Sequence, residues 1–136
     1  MKRKDIRSAA LTVAAIVAIL FGALTVLSGA TALFGPVEAR TALGDVVTFV
    51  LWFNFAAGFA YIVAGVGLFR RRRWAIRLAG LIAIATALVF AALGLHIAQG
   101  GLYEMRTVIA MTVRTAVWIA IAVIALRCMP GEAPAA

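Results

Sequence analysis

Apolar residues fall into four long runs that are separated by short polar or basic segments. The runs cover 8–27, 46–69, 74–95 and 107–126, and each holds at least 20 residues. About 20 apolar residues in a helix cross a hydrocarbon core of about 30 Å, where backbone groups must pair within the helix. The pattern predicts an all-α protein, a bundle of four transmembrane helices that forms one domain.

The composition agrees with this interpretation. The chain of 136 residues is 65% hydrophobic and 13% charged, whereas soluble domains average about 45–50% apolar and about 25% charged residues. The segments outside the four runs are too short to form a second core. A separate catalytic domain is therefore excluded, and the polar tail 130–136 is expected to be flexible.

The distribution of basic residues predicts the orientation. Most of the 13 Lys and Arg residues lie before the first run, around the turn between the second and third runs, and after the fourth. Only Arg40 and Arg106 lie in the connections on the opposite side. Because short basic segments stay in the cytoplasm, both termini are predicted to be cytoplasmic (N-in/C-in) in a bacterial inner (plasma) membrane.

A cleavable secretory signal is the alternative for the first run, because a basic start precedes it and the small residues Ala30, Thr31 and Ala32 follow it. Such signals usually have an apolar run of about 7 to 15 residues, shorter than this one. Cleavage would also leave three spans. We therefore expect the first run to be retained as a transmembrane helix.

The two halves of the chain match each other at an offset of 66 residues. The sequence Glu-Ala-Arg-Thr at 38–41 corresponds to Glu-Met-Arg-Thr at 104–107. Each half contains two spans, so both halves enter the membrane in the same direction. The match predicts two parallel two-helix repeats, at 4–60 and 70–126.

Small residues recur at every fourth position in three of the runs, and such stripes let helix backbones approach closely in lipid. The stripes are Ala10, Ala14, Ala18 and Gly22; Ala56, Ala60 and Ala64; and Ala75, Ala79, Ala83, Ala87 and Ala91. We expect these faces to form the contacts between helices.

Arg114 is the most unusual residue, because it lies seven residues inside the fourth run, about 10 Å deep at 1.5 Å per residue. An unpaired charge at such a depth is costly. Three interpretations are open. The side chain reaches toward the interface with no function, it forms a structural ion pair with Asp45, or it binds a ligand.

Two other groups of polar residues are candidates for a site. Asn54 and Tyr61 share one helix face with Gly58 and Gly65, which indicates either a small cavity or hydrogen bonds between helices beside a glycine contact.

The second group, His96, Glu104, Arg106 and Asp45, lies on the predicted outer face. The chain has one His, and its one Cys, Cys128, is expected on the opposite side. No bis-histidine haem or thiolate metal site is therefore expected, and we predict no metal and no cofactor.

The basic run Arg70, Arg71, Arg72 and Arg73 is interpreted as a topology signal that also attracts anionic lipid headgroups, at about 1 kcal/mol per residue. Nucleic acid is not an expected partner. The run is short and held between two spans, and it lacks exposed aromatic residues in a pattern suited to stacking on bases.

Two segments, Phe-Asn-Phe-Ala-Ala-Gly-Phe-Ala-Tyr at 53–61 and Gly-Leu-Tyr-Glu-Met-Arg-Thr at 101–107, resemble parts of small, uncharacterised four-helix integral membrane proteins of bacteria. The resemblance covers the second to fourth spans and implies no activity, substrate or partner. Small multidrug exporters differ, because they need an acidic residue in the first span and this run has none.

Three functions follow as expectations. The first is a non-catalytic accessory or interaction subunit of a larger membrane complex. The loops are short, and the sequence shows no set of catalytic residues that would come together at one site. The alternative is an oligomeric small-solute or anion transporter or channel that uses Arg114. The third is a membrane enzyme or cofactor binder at His96, Glu104, Arg106 and Asp45. A non-enzyme that forms a homo-oligomer or joins a larger complex is expected.

Overall fold

A computed structural model describes residues 2–129, so the tail 130–136 lies outside the described residues. The chain forms five helices: α1 (Arg3–Phe34), α2 (Val37–Thr41), α3 (Thr48–Phe69), α4 (Trp74–Ala98) and α5 (Met105–Cys128). The four long helices are each long and apolar enough to cross a membrane. The predicted all-α architecture with four apolar spans is confirmed, and residues 2–129 contain no strand.

Helix α1 extends well beyond the predicted run 8–27. It has 32 residues, or about 48 Å at 1.5 Å per residue, which exceeds a hydrocarbon core of about 30 Å. Its backbone hydrogen bonds continue through polar residues at both ends and stop at Gly35 and Pro36, because proline has no N–H to continue a helix. The hydrophobic run therefore marked only the most apolar part of the helix.

The two halves of the chain differ where the matched motif lies. In the first half, the motif at 38–41 lies in the short helix α2, and Gly44 at φ +74° separates α2 from α3. In the second half, the motif at 104–107 leads directly into α5. A Cβ on Gly44 would collide with the Glu104 carboxylate. The internal repeat remains a prediction.

Helices α1 and α3 form the closest contact of the bundle, along a glycine seam made by Gly22, Gly58 and Gly65. A Cβ on Gly22 would lie 2.8 Å from the carbonyl oxygen of Gly58. A Cβ on Gly65 would lie 2.9 Å from the carbonyl oxygen of Ala15. The backbones approach so closely that no side chain fits between them, which is how small residues hold helices together in lipid.

The predicted alanine stripes are partly correct. Ala14, Ala18 and Gly22 of α1 are buried, and so are Ala75, Ala79 and Ala83 of α4. The outer part of the α4 stripe, Ala87 and Ala91, is exposed. The stripe predicted for α3 is also partly correct, because Ala64 is buried and Ala60 packs against the core, but Ala56 is exposed. The buried face of α3 also carries Ala57, Gly58, Tyr61 and Gly65.

The start of α1, the turn between α3 and α4 and the end of α5 meet at one end of the bundle, where Arg3, Arg71 and Cys128 line one groove. We call this the basic end, and the opposite end, with the connections 35–47 and 99–104, the loop end. One Nη atom of Arg71 donates to the Ser8 carbonyl at 3.1 Å and to the Ser8 and Thr12 hydroxyls at 3.0 Å. These contacts attach the turn to α1.

Candidate functional site

A cavity of about 280 Å³ opens at the loop end between α1, α3 and α5. Glu104 and Arg106 lie at its mouth, and Thr25, Asn54 and Arg114 lie at its inner end. This order follows from the direction of each helix, since α3 and α5 run inward from the loop end and α1 runs outward. Four uncharged polar residues face the cavity: Thr25, Ser28, Asn54 and Thr107.

Arg114 is buried within the bundle, with 8% of its surface exposed. It lies nine residues after the start of α5, about 13 Å along the helix. Its Nη1 lies 3.7 Å from the sulfur of Met111, and its Cζ lies 5.6 Å from the centre of the Phe21 ring. Its buried Nε–H has no hydrogen-bond acceptor among residues 2–129.

The Met111 sulfur is a weak acceptor, and a guanidinium has five N–H donors. The cation over the Phe21 ring gains an electrostatic attraction that desolvation strengthens, but the ring accepts no ordinary hydrogen bond. Arg114 therefore retains donor capacity at the inner end of the cavity.

The ion pair between Arg114 and Asp45, one of the three interpretations, is not formed. Asp45 is exposed, and its backbone N–H donates to Oε1 of Glu104 at 2.9 Å. Among residues 2–129, the contacts of Arg114 are with Met111 and Phe21 and include no carboxylate. The side chain does reach one turn toward the loop end, the direction expected for snorkelling, but it stays inside the protein.

Three aromatic rings in contact, which we call the aromatic floor, lie below Arg114. The Phe21 and Tyr61 ring centres are 5.9 Å apart and the rings are parallel, and the Tyr61 and Trp118 centres are 4.7 Å apart. Tyr61 and Trp118 are fully buried. Beyond the floor, buried apolar residues such as Leu11 and Leu68 fill the bundle toward the basic end. The cavity is thus closed on that side.

Several buried polar atoms near the floor have no hydrogen-bond partner within residues 2–129: Asn54 Oδ1, Tyr61 OH, Thr86 Oγ1, Arg114 Nε and Trp118 Nε1. The predicted glycine contact is present, and hydrogen bonds between helices at Asn54 and Tyr61 remain a prediction. Thr86, missed in the sequence, faces the Tyr61 hydroxyl. The sequence marked Thr86 only as the one hydroxyl-bearing residue in the apolar run 74–95.

The mouth of the cavity is held in place by α5. Glu104 accepts the hydrogen bond from Asp45, and Nη2 of Arg106 donates to the carbonyl of Ala42 at 3.3 Å. Both bonds attach the connection 42–45 to the start of α5. The structure therefore brings Glu104, Arg106 and Asp45 together at the loop end.

His96 does not line this cavity. Its Nε2 lies 3.0 Å from the carbonyl oxygen of Leu102, its ring packs against Gly101, and Phe49 approaches the ring at 6.1 Å. These contacts hold the connection 99–104 against α4. Within residues 2–129, no three His, Cys, Asp or Glu residues are placed to hold a metal ion.

The basic run 70–73 is exposed at the basic end. Of its four arginines, Arg71 is directed toward α1, where it contacts Ser8 and Thr12. The role of the run in binding lipid headgroups remains a prediction.

Comparison with known protein families, curated proteins and solved structures gives no match to this chain. Its function is therefore argued from the cavity and its residues.

Proposed function

We propose that this protein binds a small anion in the cavity that ends at Arg114, as the first step of small-solute transport across the membrane. The observation that carries the proposal is a buried guanidinium, without a carboxylate partner, at the end of a cavity lined by hydroxyl and amide groups. Of the functions expected from the sequence, the anion transporter is the one that this geometry supports best.

The energetics of Arg114 favour this proposal. An arginine near the centre of a membrane helix costs about 2.5–3.5 kcal/mol on insertion scales. A bound anion would offset that cost through charge-assisted hydrogen bonds, which are about twice as strong as neutral ones. Thr25 and Asn54, at the same depth, would supply further polar contacts.

The aromatic floor argues against an open channel through one chain. An anion bound at Arg114 reaches the loop end only, because Tyr61 and Trp118 close the other side. Transport therefore requires a movement between α1 and α5, which border the cavity, or a path between copies in a homo-oligomer. The glycine seam keeps α1 and α3 together during such a movement.

The basic end is proposed to face the cytoplasm of a bacterial plasma membrane, with the run 70–73 at the anionic headgroups, so the anion enters from the outside. Single cysteines at 40 and 106, in a Cys128→Ser background, test this topology. Both should react with a membrane-impermeant thiol reagent added outside whole cells. Labelling of one and protection of the other contradicts the arrangement.

Anion binding is tested with purified protein in lipid nanodiscs and in sealed vesicles. We expect added sodium salts of small anions to raise the unfolding temperature, as binding to the folded state requires, and vesicles to show anion flux. Arg114→Gln should remove both effects. Arg127→Gln, on the exposed end of the same helix, is the matched control. Equal stabilisation and flux in Arg114→Gln contradict the proposal.

An accessory subunit is the second candidate, because α4 leaves Ala87 and Ala91 exposed, and a Cβ on the neighbouring Gly94 would meet nothing. Such a face suits close contact with another helix. Purification in mild detergent should then recover a larger protein in fixed proportion, and Ala91→Trp should release it. A single homogeneous species contradicts this candidate.

A further inference from the structure

The cavity has walls of two chemical kinds. Its inner end is polar, as described above. One turn nearer the mouth the walls made by α3 and α5 are apolar, formed by Val50, Leu51 and Ala110, with Val47 beyond them, while Ser28 of α1 adds one hydroxyl. Val47 and Val50 are almost completely buried. An occupant that fills this space therefore presents a charged group to Arg114 and an apolar part toward the mouth.

A compact dianion such as sulfate finds one cation at the inner end. The next cation on α5, Arg106, lies eight residues away, about 12 Å along the helix, and its Nη2 donates to the Ala42 carbonyl. Glu104 lies beside it at the mouth. One guanidinium balances one negative charge, so the site suits a monoanion.

A guanidinium presents its N–H groups as a planar fork that matches the two oxygens of a carboxylate. A halide accepts from the same donors but has no part that contacts Val50, Leu51 or Ala110. Resting on the proposed function, we infer that the ligand class is a short-chain monocarboxylate, with its carboxylate on Arg114 and its alkyl chain along the apolar walls.

The apolar walls add a second element of specificity. A short dicarboxylate with its first carboxylate on Arg114 would place the second one among Val50, Leu51 and Ala110, where a charge loses its hydration. The site therefore favours monocarboxylates over short dicarboxylates.

The inference is tested by calorimetric titration of the protein in nanodiscs with sodium acetate, propionate, butyrate, valerate, succinate, chloride and phosphate. Empty nanodiscs correct for partition into lipid. Burying one methylene contributes about 0.8 kcal/mol, which is about fourfold in Kd for each added carbon until the cavity is full. Succinate should bind at least about tenfold more weakly than butyrate, because its second carboxylate is desolvated against the apolar walls.

Two variants sharpen the test. Ala110→Leu, which fills the apolar wall, should weaken valerate at least about tenfold and leave acetate within about twofold. Ala116→Leu, on an exposed position of the same helix, should change neither.

The outcomes separate this inference from the proposed function. Binding of chloride or phosphate that requires Arg114, with no gain along the carboxylate series, supports anion binding and overturns the monocarboxylate. No binding of any anion overturns both. A gain with chain length that disappears in Ala110→Leu supports both.

Discussion

Arg71 and Arg114 differ in their exposure and in the contacts that their guanidinium groups make. Arg71 lies exposed at the basic end, and one of its nitrogens alone reaches three oxygens, all from α1. Arg114 is buried among α1, α3 and α5, where its guanidinium contacts the Met111 sulfur and the Phe21 ring. The first arginine is explained by the contacts it makes within the fold. The contacts of the second leave donors unused, which is the observation behind the proposed anion site.

The backbone conformation of Arg71 also fits its role in attaching the turn after α3 to α1. Arg71 has φ 58°, a left-handed conformation usually taken by glycine after a helix. The N–H of Arg72 bonds to the carbonyl of Gly67 at 2.8 Å, and that of Arg71 to Leu68 at 3.0 Å, which is the Schellman pattern. An arginine occupies this position because its side chain connects the turn to α1.

The largest expected effect contrasts the two arginines directly. Arg114→Met removes a buried charge with unused donors, so without added anion we expect the free energy of unfolding to rise by about 2 kcal/mol. Arg71→Met removes hydrogen bonds to Ser8 and Thr12 and should lower it by about 1 kcal/mol. Unfolding in mixed micelles measures both. Changes of the same sign in the free energy of unfolding of the two variants would contradict this difference between the arginines.

A smaller effect is expected at the aromatic floor. Tyr61→Phe removes a buried hydroxyl that has no hydrogen-bond partner and keeps the ring between Phe21 and Trp118. The free energy of unfolding should rise by about 1 kcal/mol. Tyr103→Phe, at an exposed position, is the control and should change little. A loss of stability in Tyr61→Phe would show that the hydroxyl is hydrogen-bonded in the membrane.

At the basic end, Ser8→Ala should lower the free energy of unfolding by about 0.5 kcal/mol, because Arg71 loses one acceptor but keeps the Ser8 carbonyl and Thr12. Thr31→Val removes a hydroxyl that bonds only within its own helix, which makes it a comparison for the loss of a local bond. Ser8→Ala combined with Arg71→Met should cost no more than Arg71→Met alone. A further loss in the double variant would give Ser8 a separate role.

The smallest effect concerns the pair that the structure does not form. In a double-mutant cycle of Arg114→Gln and Asp45→Asn, the two changes in unfolding free energy should add within about 0.5 kcal/mol. The same micelle assay measures the cycle. A larger coupling energy would mean that Asp45 reaches Arg114 in the membrane. Its carboxylate, and not a bound anion, would then balance the charge of Arg114.

The positions of the spans could be predicted from the sequence because lipid imposes a length and an apolar composition on any crossing helix. The predicted second, third and fourth spans end within three residues of α3, α4 and α5. The short helix α2 and the extension of α1 could not be predicted in this way. Both lie outside the most apolar stretches, and their bounds depend on backbone hydrogen bonds around Gly35, Pro36 and Gly44.

The candidate site was predictable only in part, for a related reason. A charge in an apolar run is conspicuous, so Arg114 and the polar residues Asn54 and Tyr61 could be identified from the pattern. Their surroundings depend on how helices rotate against each other. Phe21, Met111 and the apolar wall at Val50 look like ordinary membrane sequence, and the direction of Asp45 depends on the break at Gly44.

The glycine seam has a consequence for how the protein is made. It joins α1 and α3, which are consecutive spans, so this hairpin can assemble while the ribosome is still synthesising α5. The two sides of the cavity made by α1 and α3 are then already formed when the segment with Arg114 leaves the translocon. Helix α5 can then pack its Arg114 side chain against the surface of the α1–α3 hairpin, which includes the Phe21 ring. The charge is not exposed to lipid on all sides.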